Sequence, residues 1–131
     1  MNREQRTENS EQLGMNIGEN ILKIKSYAFA IRIVKLSQYL QNDKREFVLS
    51  KQVLRSGTSV GALIRESECG QSKIDFEHKM SISLKEANET EYWINLLKDT
   101  GYIDKKLFES LEIDCKELLK LLIASIKTAK K

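Results

Sequence analysis

Apolar spacing divides the chain into four helical stretches. In the first, from about Asn20 to Gln41, Leu22, Phe29, Ile33, Leu36 and Leu40 recur at helical steps and predict one buried stripe. Tyr27, Ile31 and Val34 lie nearly opposite, with Arg32 and Lys35 in the gap, so the apolar band is wider than a single core requires. The second stretch, about Phe47 to Glu68, has two unlike faces. Val53, Gly57, Val60, Gly61 and Ile64 share one, where missing side chains invite another element to come close. Arg55, Ser59, Ala62 and Glu66 share the other, so this helix is open to approach from two sides. Each glycine costs a helix interior roughly 1 kcal/mol relative to alanine, which close packing has to offset. The third stretch, about Ser72 to Thr100, carries Phe76, Met80, Ser83, Ala87, Thr90, Ile94 and Leu97 in alternating steps of four and three. That is the seam of a helix packed at a shallow angle. Beside it runs a second band, Ile82, Glu86, Glu89, Trp93 and Leu96. The fourth stretch, ending near Ala129, has a single stripe: Leu107, Phe108, Leu111, Cys115, Leu118, Leu122 and Ile126.

The punctuation agrees with this division. Gln41 to Glu46 is a polar connection, and Cys69-Gly70-Gln71 breaks the second helix, with Gly70 suited to a left-handed C-terminal position. Ser72 and Asp104 are the expected N-caps of the last two helices, Asp75 falls in an acidic first turn, and Gly101 ends the third helix. Residues 1–19 are polar and read as a flexible lead-in, leaving residues 20–131 as one domain. The fold class is all-α, an up-down-up-down antiparallel four-helix bundle. Three of the four helices carry more apolar surface than one core uses, which predicts a homo-oligomer, with Ile82, Trp93 and Leu96 on the subunit interface.

Composition adds limits. A chain of 131 residues fits one domain with a real core, and no proline with only six glycines favours long helices. The net charge is +3 and the isoelectric point about 8.8, which permits nucleic-acid contact without demanding it. Two of the 22 basic and four of the 19 acidic residues fall within Met1–Glu19, so the remainder carries +5. Arg32, Lys35, Lys51, Arg65 and Lys73 are the candidate nucleic-acid contacts, although Glu66 and Glu68 are interleaved among them. The first residues lack the apolar core of a signal peptide, and no stretch approaches the roughly 18 apolar residues of a membrane span. Cys69 and Cys115 have neither metal nor redox spacing, so the expectation is a reducing cytoplasm.

Enzyme chemistry finds little footing. His78 pairs with Asp75 at i and i+3, half of a carboxylate-bridged di-metal motif, but it is the only histidine. A solvated surface residue is expected there, with no metal and no cofactor. Glu86, Glu89 and Glu91 lack a neighbouring nucleophile, histidine or phosphate loop and read as an ionic network. Ser56-Gly57-Thr58-Ser59 lacks the Gly-Lys-Ser/Thr ending of a phosphate-binding loop. No arginine precedes His78 at the spacing of an Arg-x(4–6)-His helical RNA nuclease. Arg55, flanked by small residues that invite cover, predicts a structural ion pair with Glu86 or Glu89.

Several segments carry a resemblance: Leu54-Arg55-Ser56-Gly57-Thr58-Ser59-Val60-Gly61-Ala62, then Glu66, Asp75-Phe76, and Lys85-Glu86-Ala87-Asn88-Glu89-Thr90-Glu91-Tyr92-Trp93. With Ser26-Tyr27-Ala28-Phe29-Ala30, they resemble the bacterial four-helix-bundle proteins encoded in intervening sequences of 23S ribosomal RNA genes. That family includes relatives of the accessory variability determinant of diversity-generating retroelements. Leu63 and Arg65-Glu66-Ser67 depart from its usual polar and small residues. The resemblance implies a ring-like homopentamer with no catalytic site, whose retroelement branch contacts a reverse transcriptase and nucleic acid. The functional expectation is therefore a non-enzymatic oligomeric module associated with structured RNA or an RNA-handling protein. The alternative is a purely structural scaffold for a protein partner such as a reverse transcriptase. Neither membrane nor small-molecule substrate is expected.

Overall fold

The computed structural model describes residues 17–130, and every regular element among them is a helix: α1 Ile17–Asn42, α2 Leu49–Glu68, α3 Lys73–Asp99 and α4 Lys105–Ala129. The lead-in expected over residues 1–19 lies outside the described residues as far as 16, and α1 is already helical from Ile17. Each helix packs on the next along the chain and α4 packs back on α1, which closes a four-sided bundle. Between α1 and α2 the contacts run from Ser37 with Ser50, through Ile33 with Gly57 and Ser26 with Gly61, to Lys23 with Glu68.

The core is made of the stripes that the spacing predicts. Leu22, Phe29, Ile33, Leu36 and Leu40 of α1 meet Val53, Val60 and Ile64 of α2. Met80, Ala87, Ile94 and Leu97 of α3 and Leu111, Cys115, Leu118, Leu122 and Ile126 of α4 complete it. Each large side chain so buried contributes roughly 1.5–3 kcal/mol. The polar members of the α3 seam are satisfied inside it: Ser83 Oγ donates to the Val60 carbonyl at 2.9 Å, and the Thr90 and Ser56 hydroxyls lie 2.9 Å apart.

Local chemistry sets the helix ends. Ser72 Oγ accepts from the Asp75 N–H at 3.1 Å and Asp104 Oδ1 from the Leu107 N–H at 2.8 Å, the two expected caps. The N-cap of α2 is Val48, which has no side-chain acceptor, and Glu46 Oε1 takes the Ser50 N–H at 2.9 Å instead. Gly101 is left-handed, with φ of 83°, while Gly70 is not. The space at Gly70 is tight instead: a Cβ there would stand 3.0 Å from Asp75 Oδ2 and 3.1 Å from the Ser67 carbonyl.

The glycine row of α2 is the side on which α1 packs. A Cβ on Gly57 would stand 2.7 and 2.8 Å from the two γ-carbons of Ile33, and one on Gly61 would stand 3.3 Å from the Ser26 carbonyl. The opposite row differs from the two-sided expectation. It reaches α3 through ion pairs at Arg55 and Glu66, with Ser59 half-buried and Ala62 exposed between them.

Candidate nucleic-acid interface and subunit surface

The five predicted nucleic-acid cations do not converge on one patch. Arg32 donates to Asp114 Oδ2 at 2.7 Å, to Ser110 Oγ at 2.9 Å and to the Ser110 carbonyl at 3.2 Å, fastening α1 to α4. Its charge is already matched. Lys35, Lys51, Arg65 and Lys73 are exposed and make no ion pair among the described residues. Lys51 lies in the first turn of α2 and Arg65 in its last, about 21 Å apart at 1.5 Å per residue. Lys73 opens α3 beside the Arg65 end, and Lys35 is on the outer flank of α1.

The interleaved acids are engaged elsewhere. Glu66 holds Lys79 at 3.3 Å and Glu68 holds Lys23 at 3.0 Å. Sequence reasoning missed Lys44, Arg45 and Lys106, which are exposed and unpaired among the described residues at the bundle end nearer Lys51. Lys44 Nζ lies 6.0 Å from the centre of the Tyr39 ring. Its signal was present in the polar connection after α1, which reads as a mere connection until Tyr39 is placed beside it.

Two grooves flank α1. Between α1 and α4 a groove of about 300 Å³ is lined by Arg32, Lys35, Leu36, Tyr39, Leu107 and Leu111. Between α1 and α2 another of about 310 Å³ has a floor of small residues, Ala30, Gly61 and Ala62, with Lys23, Tyr27 and Arg65 around it. Its Tyr27 continues into an exposed apolar row with Ile31 and Val34. The α2-side flank of α1 thus carries an apolar row beyond a rim of Lys23 and Arg65, and its α4-side flank carries Lys35 and the Asp114-paired Arg32.

On α3, Ile82, Trp93 and Leu96 are each half-buried within one chain. Arg55 reaches Glu86 at 3.2 Å and bonds Glu89, whose Oε2 also accepts from Trp93 Nε1 at 3.3 Å. The hydrogen bond that Arg55 donates to Glu86 is the largest influence holding the guanidinium protonated. The sequence placed a cover over Arg55, yet its side chain is 51% exposed in the single chain. Tyr92, exposed, meets the Trp93 ring edge-on at 5.0 Å. The fourth helix is less one-sided than its stripe suggests, since Ile113 and Ile123 are exposed.

The third carboxylate parts company with the other two. Glu91 turns to α4, where its Oε2 and that of Glu112 are both buried without a hydrogen-bond partner. Burial first, and Glu112 second, push the Glu91 carboxyl above the usual range. Burial likewise pushes the neighbouring Cys115 thiol up to about 12, and its Sγ donates to the Ala87 carbonyl at 3.5 Å. Such a thiol is no nucleophile at neutral pH. His78 is exposed, and among the described residues no three His, Cys, Asp or Glu side chains stand together as metal ligands. No described helix is long and apolar enough to cross a membrane.

Comparison with known proteins adds the context. The family model described as 23S rRNA-intervening sequence protein matches residues 19–124. The chain is also similar to a crystal structure from Bacteroides thetaiotaomicron, described as a protein of unknown function from the S23 ribosomal protein family. The two are 55% identical, with 85% of this chain and 99% of that chain covered and a TM-score of 0.84. No curated protein matches.

Proposed function

This chain belongs to the 23S rRNA-intervening sequence protein family, and from that premise we propose a non-enzymatic, oligomeric RNA-binding module acting in the cytoplasm. The observation that carries the proposal is the pairing pattern. The acids interleaved with the basic residues, Glu66 and Glu68, are engaged by Lys79 and Lys23, while Lys35, Lys51, Arg65 and Lys73 make no ion pair among the described residues. Cations left over in this way suit phosphate contacts that read charge and shape, not sequence.

The chain is proposed as an antiparallel up-down-up-down bundle, a reading supported by the contact series from Ser37–Ser50 to Lys23–Glu68. Its assembly is proposed to be head-to-tail. The apolar row on the α2-side flank of α1 in one subunit faces the Ile82, Trp93 and Leu96 band of the next, and two unlike faces generate a ring when the rotation closes. Five chains of +3 each carry +15, enough for multivalent contact that one chain lacks. A second reading, a scaffold for a protein partner such as a reverse transcriptase, is favoured by the exposed Tyr92 beside Trp93.

A mobility-shift titration with structured RNA at about 50 and about 200 mM salt separates the two, because phosphate-driven binding falls steeply over that range. The RNA reading expects a shift at the lower salt that weakens sharply at the higher. No shift at the lower salt, with the oligomer intact, leaves the scaffold.

A further inference from the structure

The groove between α1 and α4 differs from the scattered surface cations, because it combines three features in one place. Its floor is apolar, from Leu36, Leu107 and Leu111. Its wall holds Tyr39, 36% exposed, with Lys44 Nζ 6.0 Å from the ring centre. It also holds the Arg32 guanidinium, fixed by Ser110 and Asp114. Arg32 and Tyr39 are seven residues apart on α1, two turns or about 10.5 Å, and so border the same flank. Lys35 lies between them, and Lys106 stands one turn before Ser110 on the flank of α4 that meets Arg32.

We infer that this groove takes one unstacked nucleobase of single-stranded RNA, stacked on Tyr39, with Lys35 and Lys106 on the adjoining phosphates. The inference rests on the RNA reading above and names the form of RNA. A base needs an aromatic face, an apolar floor and donors at its edge. Single-stranded segments offer such bases, whereas a duplex keeps them stacked behind its backbone. Arg32, read from sequence as a phosphate contact, acquires another role here. Asp114 already answers its charge, and the guanidinium N–H groups not used on Ser110 and Asp114 can meet a base edge. A free inorganic anion would find no reason for the leucine floor. The α1–α2 groove, continuous with Ile31 and Val34, is the one suited to another protein surface.

The test uses the full chain, a labelled oligoadenylate and a labelled blunt RNA duplex of equal length, read by anisotropy at about 50 mM salt. Tyr39→Ala is expected to weaken the oligoadenylate roughly tenfold, the scale of one lost base–aromatic stack, and to leave duplex binding within about twofold. Tyr39→Phe retains both. Tyr39 is only partly buried, and a thermal melt verifies that the variant is folded. If Tyr39→Ala weakens both RNAs equally or neither, the groove is not a base site, while the RNA reading stands. A wild-type chain that binds neither RNA overturns both. If Tyr39→Ala changes the sedimenting mass and leaves the oligoadenylate unaffected, the groove docks protein, and the inference fails.

Discussion

Cys115 shows how far burial alone can move a side chain's chemistry. Its sulfur is fully buried among Leu111, Leu118 and Ala87, where thiolate cannot be solvated, and its pKa rises to about 12. A thiol whose folded pKa is raised stabilises the fold below its unfolded value, about 9, and that contribution disappears as pH climbs toward 12. The stability advantage of the wild type over Cys115→Ala should therefore shrink between about pH 8 and about pH 10.5 in denaturant titrations. A gap that stays constant would mean the thiol ionises normally inside the bundle. From the sequence, Cys115 was legible as a stripe residue of α4, but the nearby carboxyls of Glu91 and Glu112 were not. Glu91 sits only two residues from Glu89, and the pattern grouped them. The helix turns by about 200° in that interval, which sends one to α2 and the other to α4.

At the scale of elements, the α1–α2 contact leaves no room for a side chain at Gly57. Gly57 faces the branched carbons of Ile33, which is buried and has no flexible end to move away. Gly57→Ala gains up to about 1 kcal/mol in helix propensity but overpacks a closed contact, which typically costs about 1–3 kcal/mol. The expected result is a net loss of stability, read as a lower denaturation midpoint with an unchanged slope. A variant at least as stable as the wild type would show that α1 and α2 are not in this register. The glycine face, the α3 seam and the caps at Ser72 and Asp104 were all legible, because period and capping chemistry are local. Gly70 was misread, because it has no left-handed dihedral angle and is instead closely approached by Asp75 and Ser67. The fourth helix was read as one-sided because its core stripe is so regular, and Ile113 and Ile123 fall outside it.

For the whole molecule, the question is what covers the surface that one chain leaves open. The row of Tyr27, Ile31 and Val34 on α1 is exposed, and the row of Ile82, Trp93 and Leu96 on α3 is only half-buried, with Trp93 lying partly against the core. Arg55 with Glu86 and Glu89 sits beside the second row, half exposed, where an ion pair is worth about 0–1 kcal/mol. A neighbouring subunit over that row would make it count for more. Of the five candidate RNA contacts, four make no ion pair among the described residues, and the engagement of Arg32 by Asp114 was not legible because it is a long-range pairing. Sedimentation velocity of the full chain with labelled structured RNA, at about 50 and about 200 mM salt, tests assembly and binding together. The account predicts an oligomer at both salts, with RNA co-sedimenting at the lower and largely released at the higher. A monomeric chain, or an oligomer that carries no RNA even at the lower salt, would contradict it.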